Sequence, residues 1–195
     1  MGVGRLIGVV MAGGRASRFA TPTEKGTLVV GRRPLLDRAV DALRVGGIDE
    51  IIVAVSERTP STASMAGRLG VGILDTGGSG YHEDTAVLVR ELGNFVSLNV
   101  DVAFAGRRHV EELIAQGAER SRAVVVPVSL ALRPCDPTTV MTDESGESMV
   151  WVGLNIVTPE SATATLRIAD PLLTVNVNDE DDLAFADSLA IERGL

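Results

Sequence analysis

The sequence contains very few lysine, cysteine, histidine and aromatic residues. Its 195 residues include one lysine, one cysteine and two histidines, and aromatic residues make up 3% of the chain. A single cysteine excludes an internal disulfide, and so few cysteine and histidine side chains argue against a Cys/His zinc site. The net charge of −8 argues against binding to nucleic acid.

Long apolar runs are also missing. The longest ones, such as residues 123–128, are far shorter than the about 20 residues needed to cross a bilayer, so no stable membrane insertion is expected. The first residues have no basic segment followed by a cleavage site, which predicts a cytoplasmic protein. A length of 195 residues with 45% apolar and 23% charged residues predicts one domain spanning 1–195.

Apolar segments alternate with segments of helical periodicity. Strands are predicted at residues 5–12, 51–55, 71–74, 95–100, 123–130, 149–157 and 174–177. Helices are predicted from Pro34 to about Gly46, and at 81–92, 107–116 and 179–193, while 135–148 is predicted to be a surface loop. Near-continuous apolar runs are typical of strands buried on both faces. The pattern therefore predicts an α/β fold with a doubly wound, mostly parallel sheet.

The only lysine, Lys25, closes a glycine-bearing loop after the first predicted strand, in a chain with seventeen arginines. Gly13 and Gly14 let backbone N–H groups approach phosphate oxygens closely, and Arg15, Arg18 and Lys25 supply positive charge. An ammonium group on a flexible stem can follow a phosphate through a reaction. The alternative is a tight turn with solvated arginines. The loop is neither a Walker A motif nor a dinucleotide-binding G-x-G-x-x-G motif.

A second glycine-rich loop runs from Asp75 to Gly80 after a predicted strand and opens a predicted helix, whose N-terminus favours anions. A carboxylate here can pair with the N1 and N2 hydrogens of guanine, which adenine lacks. The candidates for reading the base are Asp75, Thr76 and the glycines of the loop. The alternative is that Asp75 is a turn residue and Ser79 a helix cap.

Three further segments end at the same predicted edge, where ligands bind in such sheets. Asp101 follows a buried strand and is placed to hold a divalent cation against phosphates, or to act as a cap or turn residue. Gly153 has no reason to interrupt a strand unless backbone or ligand packs closely on it. Asn178 or Asp179 is an ordinary N-cap for the last helix.

The motifs of this edge resemble those of a known family. The segment MAGGRASRF at 11–19, Lys25, and GRRPLL at 31–36 resemble the A-G-G-x-G-T-R-M, K-P and G-x-P-L pattern of the nucleotidyltransferases that make NDP-linked products from NTPs. Ala16 and Ser17 replace Gly-Thr, Gly26 replaces the usual proline, and the spacing from Arg18 to Lys25 is slightly long. The segment from Asn176 to Leu183 resembles the family's N-x-N-x-x-D-D-L.

Within that superfamily, two segments resemble the archaeal-type GTP:adenosylcobinamide-phosphate guanylyltransferases. DTGGSGYHED at 75–84 is similar to their D-T-x-G-x-G-Y-x-E-D, and VGLNIVTP at 152–159 is similar to their A-G-I-N-V-V-S-P. The resemblance implies a Rossmann-like nucleotidyltransferase fold. It also implies transfer of GMP from GTP to adenosylcobinamide phosphate, with release of pyrophosphate, in cobalamin biosynthesis. Homodimer formation is a further family-based expectation.

The resemblance also implies roles for single residues. Arg18 would hold the β- and γ-phosphates, and Lys25 would neutralise the α-phosphoryl group in the transition state. Asp101, with Asn178 or Asn176, would hold Mg²⁺. The implied nucleotide-binding residues are Ala12, Gly13, Gly14, Arg15, Asp75, Thr76, Gly80, Gly153 and Asn155.

Two alternatives stay open. One is another nucleotidyltransferase, such as a molybdenum-cofactor guanylyltransferase or a sugar-phosphate enzyme, against which the 75–84 block argues. The other is a non-catalytic nucleotide-binding regulator on the same fold. The presence of Arg18, Lys25 and Asp101 argues against that second alternative.

Overall fold

A central β-sheet organises the chain in the computed structural model, which describes residues 6–160 and 162–195. Its strands are β1 (Ile7–Met11), β4 (Glu50–Val55), β5 (Gly72–Asp75), β6 (Phe95–Asn99), β7 (Ser121–Pro127), β8 (Val140–Thr142), β9 (Ser148–Val157) and β10 (Thr163–Arg167). A separate short hairpin consists of β2 (Val29–Val30) and β3 (Arg33–Pro34). The order across the sheet is β10-β7-β9-β6-β1-β4-β5, and β8 pairs with β9.

The described part of the chain has five α-helices, of which the first four connect strands and the fifth follows the last strand. They are α1 (Leu35–Val45), α2 (Pro60–Arg68), α3 (Tyr81–Leu92), α4 (Arg107–Ile114) and α5 (Glu180–Arg193). None of the helices of the described residues has the length and apolar character needed to span a membrane.

Strand direction matches the predicted doubly wound sheet. β5, β4, β1 and β6 pair in parallel, and β10 pairs in parallel with β7. β9 is antiparallel to both β6 and β7, between which it lies. The prediction of a mostly parallel α/β sheet is therefore confirmed, with one antiparallel strand inserted near its middle.

The two faces of the sheet are covered separately. Successive residues of a strand point to opposite faces, so Val9 and Val10 of β1 belong to different apolar clusters. The cluster with Val10 includes buried residues of α1, α4 and α5, such as Leu36, whereas the cluster with Val9 includes Leu88 of α3. Burial on both faces explains why β1 has no polar side chain.

The predicted elements are confirmed where the apolar pattern is long. Helix α3 has the predicted bounds, and β1, β4, β5, β6 and β9 lie within a residue or two of theirs. Arg5, in the first predicted strand, lies outside the described residues. The segment 135–148 is more than a loop, because it includes a 3-10 turn (Pro137–Thr139) and β8. Helix α2 and strands β8 and β10 were not predicted.

The prediction of a strand at 174–177 is wrong. Asp170 instead caps a 3-10 turn, Pro171–Thr174, by accepting a hydrogen bond from Leu172 N at 2.9 Å. Beyond the turn, the pairing is limited to one bridge between Val102 and Asn176. A proline-initiated turn takes up the first residue of the predicted strand, and only one residue of β-type pairing follows it.

Candidate active site

Two cavities lie side by side at the carboxyl ends of β1, β4 and β6. The smaller cavity has a volume of about 520 Å³ and lies between the first glycine loop and residues 78–81. The larger cavity, of about 880 Å³, is bounded by the other end of the first loop, by β9 and by residues 133–139 and 174–178. Their shared wall consists of Arg15, Lys25, Tyr81, Asn99 and Asp101.

The lone lysine lies at this shared wall and holds two of the predicted metal ligands together. Lys25 Nζ donates hydrogen bonds to Asp101 Oδ2 at 2.7 Å and to Asn178 Oδ1 at 2.8 Å. The Lys25 and Asp101 side chains are only 17% and 20% exposed, so solvent screens this ion pair weakly. One positive charge therefore lies at the point where two side-chain oxygens from distant parts of the chain converge.

Asn178 is available for this contact because another residue caps the last helix. Asp179 Oδ1 accepts a hydrogen bond from Asp182 N at 2.8 Å and is the N-cap of α5. Asp182 in turn accepts one from Asn178 N at 3.1 Å. Of the two predicted N-caps, Asp179 has that role, and the Asn178 side chain points to Lys25.

The predicted Mg²⁺ ligands have side-chain oxygen atoms that could coordinate a metal ion. The described residues contain no group of three or more His, Cys, Asp or Glu side chains suited to a metal. Besides Asp101 and Asn178, however, Asn176 lines the larger cavity, and its Oδ1 is buried without a hydrogen-bond partner in the described part of the chain. One carboxylate with a few further oxygens suits Mg²⁺, which commonly keeps several waters and substrate phosphates as ligands. These residues therefore fit the ion.

The two glycine-bearing loops are in direct contact beside the smaller cavity. Ser56 Oγ donates a hydrogen bond to Gly13 O at 2.8 Å, which fixes the first loop against the end of β4. A Cβ atom at Gly78, whose φ is +62°, would lie 2.7 Å from the same carbonyl oxygen. At Gly14 a Cβ atom would meet nothing within 4 Å. The backbone of the first loop is therefore fixed at Gly13 and open at Gly14.

Several predicted nucleotide-binding residues line these cavities. Ala12, Gly13, Gly14, Arg15 and Gly80 line the smaller one, and Gly153 and Asn155 line the larger one. Asn155 Nδ2 lies 3.2 Å from both Tyr81 Oη and Ser97 Oγ. This side chain therefore connects β9 to the start of α3.

Gly153 lies in a β-bulge. Its φ is +81°, and the register between β7 and β9 shifts at this point. A Cβ atom at Gly153 would lie 2.6 Å from Asn99 Nδ2. The sequence predicted that backbone or ligand packs closely on Gly153, whereas the close approach is made by the Asn99 side chain, which lies in the shared wall.

Arg18 lies at the rim of the larger cavity. Its guanidinium donates a hydrogen bond to Asp136 Oδ2 at 2.5 Å, and its side chain is 57% exposed. Hydrogen bonds from Thr138, together with the one from Arg18, lower the pKa of Asp136 to about 2. The contact joins the first loop to residues 133–139 on the opposite side of the cavity.

Asp75 and Thr76 line neither cavity. Asp75 is exposed, and its Oδ1 accepts a hydrogen bond from Gly77 N at 2.8 Å. Thr76 is buried, and its N–H donates to Val55 O at 3.0 Å. Asp75 thus makes the turn contact considered as its alternative role. Ser79 does not cap α3, because Gly80 is the N-cap residue.

One acidic residue at the smaller cavity was not predicted. Asp84, in the first turn of α3, is only 5% exposed and lines this cavity. Its Oδ1 is buried and has no hydrogen-bond partner within the described residues. The sequence signal was its place in the 75–84 block, but nothing in the sequence distinguished Asp84 from the other carboxylates of that block.

Residues 8–169 match the MobA-like NTP transferase domain family. The match covers most of the chain, so the protein belongs to this family. No curated protein sequence matches the chain. The chain is thus of the nucleotidyltransferase class, as its loop motifs indicated.

Two solved structures share the fold. One, assigned as a glucose-1-phosphate thymidylyltransferase of Bacillus anthracis and solved with sucrose, has a TM-score of 0.70 at 16% identity, covering 96% of each chain. The other is a CMP:2-keto-3-deoxy-manno-octonic acid synthetase in complex with CTP, with a TM-score of 0.66 at 14% identity, covering 96% of this chain and 98% of that one. At such low identity these likenesses establish the Rossmann-like nucleotidyltransferase fold alone.

Proposed function

We propose that this protein transfers GMP from GTP to adenosylcobinamide phosphate, giving adenosylcobinamide-GDP and pyrophosphate. The observation that carries the transfer chemistry is the cluster of three side chains in which Lys25 and Asp101, in the wall shared by two cavities, meet Asn178 of the larger cavity. A nucleotidyl transfer brings two substrates together at one phosphorus atom, and two adjoining cavities with a cation between them suit that requirement. The acceptor is supported by the sequence resemblance at 75–84 and 152–159.

The smaller cavity suits the nucleotide. Backbone N–H groups of Gly13 and Gly14, with Arg15, would bind the phosphates, since glycine permits the backbone to approach them closely. Arg18 would reach the β- and γ-phosphates after leaving Asp136. Gly80 and the loop before it would contact the nucleoside, and Asp75 and Thr76 would contribute by fixing that loop, because they line neither cavity.

The reaction needs positioning and charge stabilisation more than proton transfer. An oxygen of the acceptor phosphate attacks the α-phosphorus of GTP, the bond from that phosphorus to the bridging β-phosphate oxygen breaks, and pyrophosphate leaves. Lys25 would donate hydrogen bonds to the α-phosphoryl oxygens as their charge grows. Asp101, Asn178 and Asn176 would hold Mg²⁺, which when bound neutralises phosphate charge and stabilises the leaving pyrophosphate.

The larger cavity suits a bulky acceptor. At about 880 Å³ it is wide and bordered by Trp151, Arg133 and Cys135 as well as by the predicted residues Gly153 and Asn155. A large corrinoid ring requires an open cleft with both apolar and cationic side chains, and this wall offers them. Asn155 and Gly153 would then lie where nucleotide and acceptor meet.

We further propose that residues 1–195 act as one nucleotidyltransferase domain in the cytoplasm and form a homodimer. A different acceptor, such as a sugar phosphate or molybdopterin, is the principal alternative within the same family. A nucleotide-binding regulator without activity is the alternative outside it. The presence of Lys25 between Asp101 and Asn178 favours an enzyme, because binding alone requires no such cluster.

The decisive experiment measures pyrophosphate release from GTP, ATP, CTP and UTP with Mg²⁺. Each nucleotide is supplied with adenosylcobinamide phosphate, with glucose 1-phosphate, with molybdopterin or without acceptor. The proposal expects release only with GTP and adenosylcobinamide phosphate. Turnover with another acceptor would assign a different nucleotidyltransferase, and no turnover with any pair would favour the regulator.

A further inference from the structure

The carboxyl group of Asp84 is buried at the smaller cavity without a hydrogen-bond partner for Oδ1 in the described part of the chain. It lies one helical turn before Leu88, which is fully buried against Val9, Ala54 and Phe95 on the same face of the sheet. The fold of α3 thus places a carboxyl group where an apolar side chain would be expected. Nothing in the phosphate chemistry described above uses it.

Such a placement has a physical cost. A polar atom removed from water without a hydrogen bond destabilises the folded state, and a buried carboxylate does so more strongly. The N-terminal end of α3 offsets part of this cost, because negative charge is favoured there. A ligand that brought hydrogen-bond donors into the smaller cavity would remove the rest.

We propose that Asp84 reads the nucleotide base, by accepting hydrogen bonds from the N1–H and the exocyclic amine of guanine. This inference rests on the proposed nucleotidyl transfer and adds to it the residue that selects the base. An ionised carboxylate only accepts hydrogen bonds, and its two oxygens match two donors side by side. Among the common bases, only guanine presents an imino and an amino donor next to each other.

The other bases either leave a carboxylate oxygen without a hydrogen bond or place an acceptor atom against it. Adenine has the acceptor N1 in place of the N1–H, and cytosine has the acceptor N3 beside its amine. Uracil has one N–H between two carbonyl oxygens, which repel a carboxylate. Hypoxanthine keeps the N1–H and lacks the amine, so ITP should lie between GTP and ATP.

Asp84 is better placed than Asp75 for this task. Asp75 is exposed, lies outside both cavities and already accepts a hydrogen bond from Gly77 N. Asp84 lines the same cavity as Gly14 and Gly80, which lie on the two loops proposed to hold the nucleotide. The two aspartates therefore provide a matched pair. Asp84→Asn removes a carboxylate from the smaller cavity, and Asp75→Asn removes one from the neighbouring loop outside it.

The experiment measures equilibrium binding by calorimetry, without acceptor, for the wild-type protein, D84N and D75N. The probes are GTP, ITP, ATP and XTP, whose base has the N1–H but a carbonyl oxygen in place of the amine. We expect D84N to weaken GTP binding about 10- to 100-fold while changing ATP binding by less than about threefold. The amide that D84N introduces offers one acceptor and one donor, so XTP should bind this variant more tightly than it binds the wild type.

The outcomes separate this inference from the proposed function. Unchanged GTP/ATP selectivity in D84N would overturn the role of Asp84, and so would a larger loss of selectivity in D75N. Thermal unfolding supplies an independent readout, because removing an unpaired buried carboxylate should not lower Tm; a lower Tm with unchanged selectivity would assign Asp84 a structural role. If D84N behaves as expected but pyrophosphate release requires another acceptor, the base assignment stands and only the acceptor is wrong.

Discussion

Lys25 Nζ lies 2.7 Å from Asp101 Oδ2, although 76 positions separate the two residues in the sequence. Asn178 completes the contact from a third segment, at 2.8 Å. The ammonium therefore occupies the point on which the predicted magnesium ligands converge. If these oxygens hold Mg²⁺ as proposed, like-charge repulsion would favour movement of Lys25 away from them, and the phosphates of a nucleotide would be its new partners.

Replacing Lys25 tests whether it acts on the transition state. Lys25→Ala should lower kcat by about 10²–10³-fold, the usual effect of losing one transition-state hydrogen-bond donor. GTP binding should weaken far less, because other groups hold the phosphates. Lys25→Arg is the control and should restore activity only in part, since the planar guanidinium cannot reproduce the ammonium's position. Steady-state kinetics with GTP as variable substrate gives both values, and wild-type turnover in the alanine variant would contradict the role.

Replacing Asp101 tests the metal site. Asp101→Asn should raise the Mg²⁺ concentration needed for half-maximal activity, because an amide is a weaker Mg²⁺ ligand than a carboxylate. The free energy of unfolding should change by no more than about 1 kcal/mol, since Asp101 is at a cavity wall outside the core. Metal titrations at fixed GTP and urea unfolding supply the two measurements. If the Asp101→Asn variant unfolded at much lower urea concentrations and kept the Mg²⁺ requirement of the wild type, Asp101 would have a structural role instead.

The bulge at Gly153 predicts a local effect on stability. Gly153→Ala places a Cβ atom 2.6 Å from Asn99 Nδ2 at a residue with φ +81°. The strained backbone alone should cost about 1–2 kcal/mol of the free energy of unfolding, and displacement of Asn99 should also reduce activity.

Gly67→Ala is the matched control for this change. Gly67 lies inside α2, and a Cβ atom there would meet nothing within 4 Å. Alanine is the better helix former, so this variant should be more stable by about 0.5–1 kcal/mol. Equal changes of Tm for the two substitutions would contradict the prediction that strain and close contact make alanine destabilising at Gly153.

Asp170 predicts how stability changes with pH. It is buried, which raises its pKa, but hydrogen bonds from Leu172 N and His109 Nε2 oppose this and lower the pKa overall below its ordinary value of 3.8. A lowered folded-state pKa stabilises the fold above the unfolded-state pKa, and this contribution is lost as pH falls through the folded-state value. The wild type should therefore exceed Asp170→Asn in stability by a constant amount above about pH 5, with the difference shrinking below about pH 4.

Urea unfolding of the wild type and Asp170→Asn between pH 3 and 7 measures this difference, which should be about 1–3 kcal/mol at neutral pH. Asp143→Asn is the comparison variant: hydrogen bonds from Ser145 and Glu147 also lower the pKa of Asp143, but they lie within one turn, so its difference should have the same sign and be smaller. Loss of Asp170 should also raise the Mg²⁺ requirement, since the turn that it caps leads directly to Asn176. A difference that grows as the pH falls would contradict the prediction.

Part of this architecture could be predicted from the sequence. Helix α3 has an amphipathic pattern between Gly80 and Gly93, and these two glycines are its caps. The sequence pattern does not predict helix α2, because this helix is short and rich in small residues. Within it only Thr62 and Ala66 are buried. Strands β8 and β10 are short edge segments with no continuous apolar run, so their pairing depends on neighbours that the sequence does not display.

The site was predictable to a similar degree. The positions of Lys25 and Asp101 after predicted strands indicated these two residues, the family resemblance indicated Asn178, and the fold brings the three together. The sequence could not distinguish Asp75 from Asp84, because burial decides which carboxylate faces the smaller cavity. That choice follows from how α3 packs on the sheet, a tertiary relationship invisible in a local pattern.

Trp151, the only tryptophan of the chain, lies in β9 at the larger cavity and is half-buried. The chain therefore carries an optical probe of that cavity alone. Ultraviolet excitation near the red edge of indole absorption would give emission from one known position, free of background from other indoles. Quenching of this emission by a coloured acceptor would show that the acceptor has bound next to Gly153. Binding of a ligand in the smaller cavity would leave the emission unchanged unless the shared wall moved.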